Sequence, residues 1–123
     1  MSKDKRQELG RAGELAANKH LKRCGYRILA KNYTCAAGEI DIICREGTCI
    51  VFVEVKTLAD DAASDPESRI GTAKQKKLLR AARYWLATQG EPDCAYRFDA
   101  IGIIMPPGES PRIRHIQDAF VPP

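Results

Sequence analysis

The 123-residue chain contains no CxxC pair, no Cys/His ligand spacing and no long apolar run. Its five cysteines, Cys24, Cys35, Cys44, Cys49 and Cys94, are odd in number and unpaired in pattern. That argues against a secreted disulfide framework and against a zinc module, and for reduced thiols of the cytosol. No segment is apolar over the length a bilayer crossing requires. The start, Met1-Ser2-Lys3-Asp4-Lys5-Arg6, is charged and leads into a polar, alanine-containing segment rather than the apolar core of a secretory leader. Internal repeats and low-complexity stretches are also missing, which excludes repeat architectures. The expectation is a soluble, cytoplasmic protein with no membrane partner.

What is present suits one domain over residues 1–123, long enough to bury roughly two-thirds of its unfolded surface. Lys and Arg number 20 against 16 Asp and Glu, a net +4 that permits a polyanionic partner without requiring one. The distribution is more telling than the sum. Residues 74–83 carry five positive charges and no negative one, whereas the stretch from Asp60 to Glu67 is acidic.

Leu9, Ala12, Ala16, Leu21 and Cys24 approximate helical spacing between Lys3 and Cys24, and Gly25 follows where a helix would end. Tyr26 to Tyr33 reads as a first strand and Glu39 to Arg45 as a second. Glu46-Gly47 then separates the second strand from a third ending at Lys56, the length of a tight hairpin turn. A loop from Leu58 to Gly71 is long enough to cover a site. Thr72-Ala73-Lys74-Gln75 has the form of a capping box, and Leu78, Leu79, Ala82, Trp85 and Leu86 form the apolar stripe of a second helix reaching about Gln89. Ala95 to Met105 reads as a fourth strand, with Arg112 to Ile116 as a short last one. The order α-β-β-β-α-β predicts an α/β fold: a mixed sheet flanked by helices, antiparallel at the hairpin and parallel across the second helix.

Chemistry concentrates at the end of the third strand. Cys49 to Val53 is apolar on both faces, as in a central strand covered on both sides, yet Glu54 and Lys56 follow directly. They share strand parity, with α-carbons roughly 6.6 Å apart. Asp41 precedes the turn by five residues and Glu54 follows it by seven, so the hairpin brings the two carboxylates together, offset by about two positions. A hard divalent cation held by Asp41 and Glu54 would offset the cost of placing charge there. The plain alternative is a Glu54–Lys56 ion pair at a solvated strand end, with Asp41 a polar residue at a sheet margin. Likewise Lys74, Lys76, Lys77 and Arg80 read either as a solvated helix face or as a surface that tracks a phosphate backbone. Asp99 with Arg97 reads as a strand-end ion pair, His20 and His115 as surface residues, Glu39 as structural and Trp85 as core.

Gly38-Glu39-Ile40-Asp41, then Phe52-Val53-Glu54-Val55-Lys56, Lys76 on a helix and Arg97-Phe98-Asp99 opening a strand together resemble the YraN-like family of small bacterial proteins. That family is similar to the archaeal Holliday-junction resolvases of the PD-(D/E)xK nuclease superfamily. The likeness runs from Gly13-Glu14 to Ile103, with Ile40 in place of the proline that often precedes the aspartate. It implies a restriction-endonuclease-like core in which Asp41, Glu54 and the Val55 carbonyl bind Mg²⁺ or Mn²⁺. Lys56 would stabilise transition-state charge or orient water, and Glu14 would reach the same cluster from the first helix.

The reading is a Mg²⁺- or Mn²⁺-dependent DNA endonuclease, acting on branched or recombination and repair intermediates and hydrolysing phosphodiesters with a metal-activated water. Its catalytic residues would be Glu14, Asp41, Glu54 and Lys56; its partner is nucleic acid, DNA foremost, and a homodimer is admitted. The alternatives are a nucleic-acid-binding recombination or repair accessory protein with weak or no turnover, and a protein-interaction module.

Overall fold

The structure is a computed structural model and describes residues 2–58, 70–89, 91, 93–106 and 108–122. Its elements are α1 (Lys3–Arg23), β1 (Arg27–Cys35), β2 (Gly38–Glu46), β3 (Cys49–Leu58), α2 (Thr72–Thr88), β4 (Tyr96–Ile104) and β5 (Arg112–Ile116). The strands form one mixed sheet in the order β1-β2-β3-β4-β5. Only β3 and β4, the pair joined through α2, run parallel; the other neighbours are antiparallel.

Each helix covers one face, which explains the apolar run of β3. On one side Ile40, Ile43, Ile50, Phe52 and Phe98 pack with Leu78, Ala81, Ala82, Trp85 and Leu86 of α2. The Trp85 ring meets Phe52 edge-on at 6.0 Å, so Trp85 is core, as its place in the stripe predicts. On the other side Ile42, Cys44, Val51, Val53, Ile101 and Ile103 pack with Ala17 and Leu21 of α1.

Three local expectations are corrected. The buried stripe of α1 is Gly13, Ala17 and Leu21, one position round from the pattern of Ala12 and Ala16, and Cys24 is exposed. The cap of α2 is Gly71, so Thr72 already lies inside the helix; no side chain caps it, and Gln75 Nε2 instead donates to the Ile70 carbonyl at 3.0 Å. The β2–β3 turn is Gly47-Thr48, because Glu46 and Cys49 are paired, and Gly47 supplies the positive φ of 59° that a tight turn requires. Most of the loop expected between Leu58 and Gly71 lies outside the described residues.

Gly13 permits the close approach of α1 to β3. A Cβ added there would overlap the Thr57 hydroxyl and lie 3.1 Å from both Thr57 Cβ and Cγ2. Gly13→Ala is therefore expected to destabilise the fold by about 1–2 kcal/mol, measured by urea unfolding, although alanine favours helix elsewhere. A stability gain would show that α1 does not seat this tightly.

Candidate metal and nucleic-acid site

The corrected turn sets the geometry of the site. Moving a two-residue turn by one position moves the register of a hairpin by two, and the ladder runs from Glu46↔Cys49 to Ile42↔Val53. The step beyond that last pair sets Asp41 opposite Glu54, without the two-position offset expected from the sequence. There the backbone ladder stops. The amide of Val55, which shares parity with Val53, donates to Asp41 Oδ2 at 2.8 Å. The Asp41 carboxylate thus takes a place that a β2 carbonyl would hold in a continued ladder.

Asn32, facing Asp41 from β1, interrupts the other side of β2. The β1–β2 register passes from Lys31↔Ile42 to Tyr33↔Ile40 without a registered pair between, and Asn32 has a φ of 51°. Asparagine tolerates this left-handed conformation better than most residues. Its side chain lies close enough to Glu14 to favour the ionised carboxylate, which brings α1 into the same group.

Glu54 is 5% exposed and Phe52, two residues earlier, packs against α2. Lys56, on the same face, places Nζ 3.6 Å from Glu54 Oε1. Lys74, in the first turn of α2, reaches the same oxygen at 3.1 Å. The sequence-predicted Glu54–Lys56 pair therefore exists, but the shorter contact comes from a lysine assigned on sequence to the outer helix face. Asp41 is less well compensated. Desolvation first, then the charge of Glu54, push its pKa up to about 6 despite the Val55 hydrogen bond and the two lysines. Desolvation and then Asp41 also raise Glu14, while the Asn32 side chain opposes the shift.

These groups line a cleft of about 360 Å³ between the N-terminal half of α1 and the end of β3, bounded by Arg6, Leu9, Gly10, Glu14, Asp41, Glu54, Val55, Lys56 and Thr57. Glu14, Asp41, Glu54, Val55 and Lys56 are thus brought together. Lys76, Lys77 and Arg80 are exposed on α2 and do not line it. Arg6 and Asn32 were missed by sequence reasoning. An asparagine within a strand pattern is a weak signal for such a break; nothing marks Arg6.

The donor set fits a hard divalent cation. Two carboxylates meet where their charges repel, in a cleft with room for water. Among the described residues no three His, Cys, Asp or Glu side chains form a cage. A hard cation such as Mg²⁺ would take the two carboxylates and keep several waters. A cation would have to compete with Lys56 and Lys74 for Glu54.

Residues 13–103, most of the chain and nearly the whole span of the site, match the uncharacterised protein family UPF0102. The chain belongs to that family. A UPF0102 protein of Geotalea daltonii is 43% identical over 118 residues, covering 96% of this chain and 93% of the relative. One from Geobacter metallireducens is 43% identical over 114 residues, covering 93% of each. One from Caldicellulosiruptor saccharolyticus is 44% identical over 100 residues, covering 81% of this chain and 85% of the relative.

A second polar cluster corrects two sequence expectations. Asp99 is fully buried on β4 and accepts from Arg97 Nε at 2.9 Å and from the Asp118 amide at 3.0 Å. His115 Nε2 lies 2.8 Å from Asp99 Oδ2, so His115, with a side chain only 11% exposed, is an internal bridge rather than a surface residue. The expected Asp99–Arg97 ion pair exists, but within this buried network. Burial alone would raise the Asp99 pKa; the bonds from His115, Arg97 and Asp118 together hold it below the ordinary value.

Proposed function

We propose that the chain is a Mg²⁺- or Mn²⁺-dependent DNA endonuclease of restriction-endonuclease-like fold, related to the PD-(D/E)xK nucleases and acting on branched or recombination intermediates. The observation that carries this reading is the Asp41 carboxylate at the point where β2 and β3 part, beside a buried Glu54 whose face also presents Lys56. A divalent cation there would supply Lewis-acid charge and acidify a water. The residues of the chain do the rest. Asp41 and Glu54 hold the negative charge that attracts the cation, and the Val55 amide orients Asp41. Lys56 offers an ammonium to charge developing on the phosphate, and Glu14 stands by as a further carboxylate from α1.

The exposed Lys76, Lys77 and Arg80 of α2 suit a backbone track beside the site, with Lys74 linking that face to Glu54. Because Lys74 is engaged, the track is tested with Lys76 and Lys77. Replacing both by Ala should weaken DNA binding whatever the sequence, and flatten the slope of log affinity against log salt by roughly two units. An unchanged slope would remove the track from the proposal.

The second reading, an accessory DNA-binding protein, is favoured by one observation: two ammonium groups already neutralise Glu54. The deciding experiment is cleavage of labelled branched and linear DNA with Mg²⁺ or Mn²⁺, with Glu54→Ala as the control for contaminating nuclease. Cleavage that Glu54→Ala abolishes supports the enzyme. Salt-dependent binding without cleavage of any substrate supports the accessory protein. Neither binding nor cleavage leaves a protein-interaction module.

A further inference from the structure

On the far side of the sheet from α2, the C-terminal turn of α1 meets β5. His20 Nε2 lies 3.0 Å from His115 Nδ1, with the rings nearly perpendicular at 76°. Behind the pair stands Asp99, 2.8 Å from the other nitrogen of His115. In front of it opens a pocket of about 390 Å³ lined by His20, Cys24, Tyr26, Glu46, His115 and Gln117. The proposed nuclease chemistry uses none of these groups.

We propose that His20 Nε2 and His115 Nδ1 together bind a borderline transition metal ion, Zn²⁺, Ni²⁺ or Cu²⁺, with water from the pocket completing its coordination. Three features support the assignment. Nitrogens about 2.0–2.1 Å from one metal, at ordinary angles of about 90–110°, stand about 2.9–3.4 Å apart, and this pair is already at 3.0 Å. Asp99 provides the outer carboxylate that metal-binding histidines commonly carry: accepting from Nε2–H, it favours the tautomer in which His115 Nδ1 is unprotonated. The site also borders the carbonyl end of α1, where the helix dipole favours a cation.

With the His115 proton on Nε2, the metal-free contact is one in which His20 Nε2–H donates to His115 Nδ1. Binding moves that proton to His20 Nδ1, and no net proton need be lost. Cys24 lies beside His20, its Sγ 3.8 and 3.9 Å from the two ring nitrogens, but it does not complete a three-residue set with the two histidines. The protein therefore contributes two donors, in keeping with the absence of a three-residue cage among the described residues. Imidazole nitrogen suits these ions, whereas the oxygen donors of Asp41 and Glu54 suit Mg²⁺.

The test is calorimetric titration of the full-length, metal-free chain with Ni²⁺ or Zn²⁺ in excess Mg²⁺, which keeps the carboxylate cleft occupied. One saturable equivalent is expected. His20→Ala, which leaves the His115–Asp99 bond intact, should weaken it at least about 10-fold, and Asp99→Asn by about 10-fold or more through His115. Glu54→Gln should bind the ion as wild type does. The absence of saturable binding, or binding unchanged in His20→Ala, would overturn the proposal. So would loss of the same equivalent in Glu54→Gln, which would place the ion in the carboxylate cleft.

Discussion

Lys56→Ala is expected to slow single-turnover DNA cleavage by about 10²–10³-fold, with DNA affinity changed by no more than about 2-fold. The asymmetry follows from where its ammonium sits. Nζ faces the cleft beside Glu54, where charge would develop on a phosphate during reaction, rather than on the exposed α2 face that would hold the ground-state backbone. A fold defect should not mimic the result, because Glu54 keeps its shorter contact with Lys74 at 3.1 Å when Lys56 is removed. Rates and binding should be measured on the same substrate, with thermal unfolding as the control for structure. A parallel fall in affinity and rate would make Lys56 a binding residue, and an unchanged rate would remove it from the chemistry.

Without metal, Asp41→Asn should be more stable than wild type at pH 8. Burial, and then the charge of Glu54, raise the Asp41 pKa from 3.8 to about 6. The folded protein therefore holds this proton more tightly than the unfolded chain does. The associated stability is fully present below about pH 4 and is lost as pH rises through 6. At pH 8 wild type carries the whole cost of the ionised carboxylate, about 2 kcal/mol after screening by water in the cleft. Asparagine does not titrate and keeps an oxygen for the Val55 amide. Urea unfolding should accordingly show the variant about 2 kcal/mol ahead at pH 8, with the gap narrowing towards pH 4. Adding Mg²⁺ should stabilise wild type and leave the variant nearly unchanged. A pH-independent difference, or a less stable variant, would contradict the account.

The pattern of apolar residues determined much of the architecture. The uninterrupted run Cys49 to Val53 predicts a strand covered on both faces, and the helix between it and the next strand predicts the parallel β3–β4 pair. Both are present because burial of long apolar runs is a local demand that few arrangements satisfy. The juxtaposition of Asp41, Glu54 and Lys56 was legible for the same reason: a short hairpin leaves the end of one strand beside the start of the other.

What the sequence left open depended on single-residue choices with distant consequences. Glu46-Gly47 and Gly47-Thr48 are both acceptable two-residue turns in composition, yet the second removes the offset between Asp41 and Glu54. A shift of two keeps every side chain on its own face, so burial cannot choose between them; the turn does, with Gly47 taking the positive φ of 59° at its first position. The buried side of α1 turned on whether Gly13 or Ala12 faces the sheet, and Thr57 settles that by leaving no space for a Cβ. Lys74 looks like any other member of a basic helix face until the first turn of α2 is set beside Glu54. His20 and His115, 95 positions apart, look like isolated polar residues until α1 is laid against β5. Sequence alone determined that the β3 run and the stripe of α2 must be buried, and which charges beside them needed explaining. Only the tertiary structure decided which charge answers which, because ion pairs and hydrogen bonds depend on ångström-scale placement that hydrophobic periodicity does not encode.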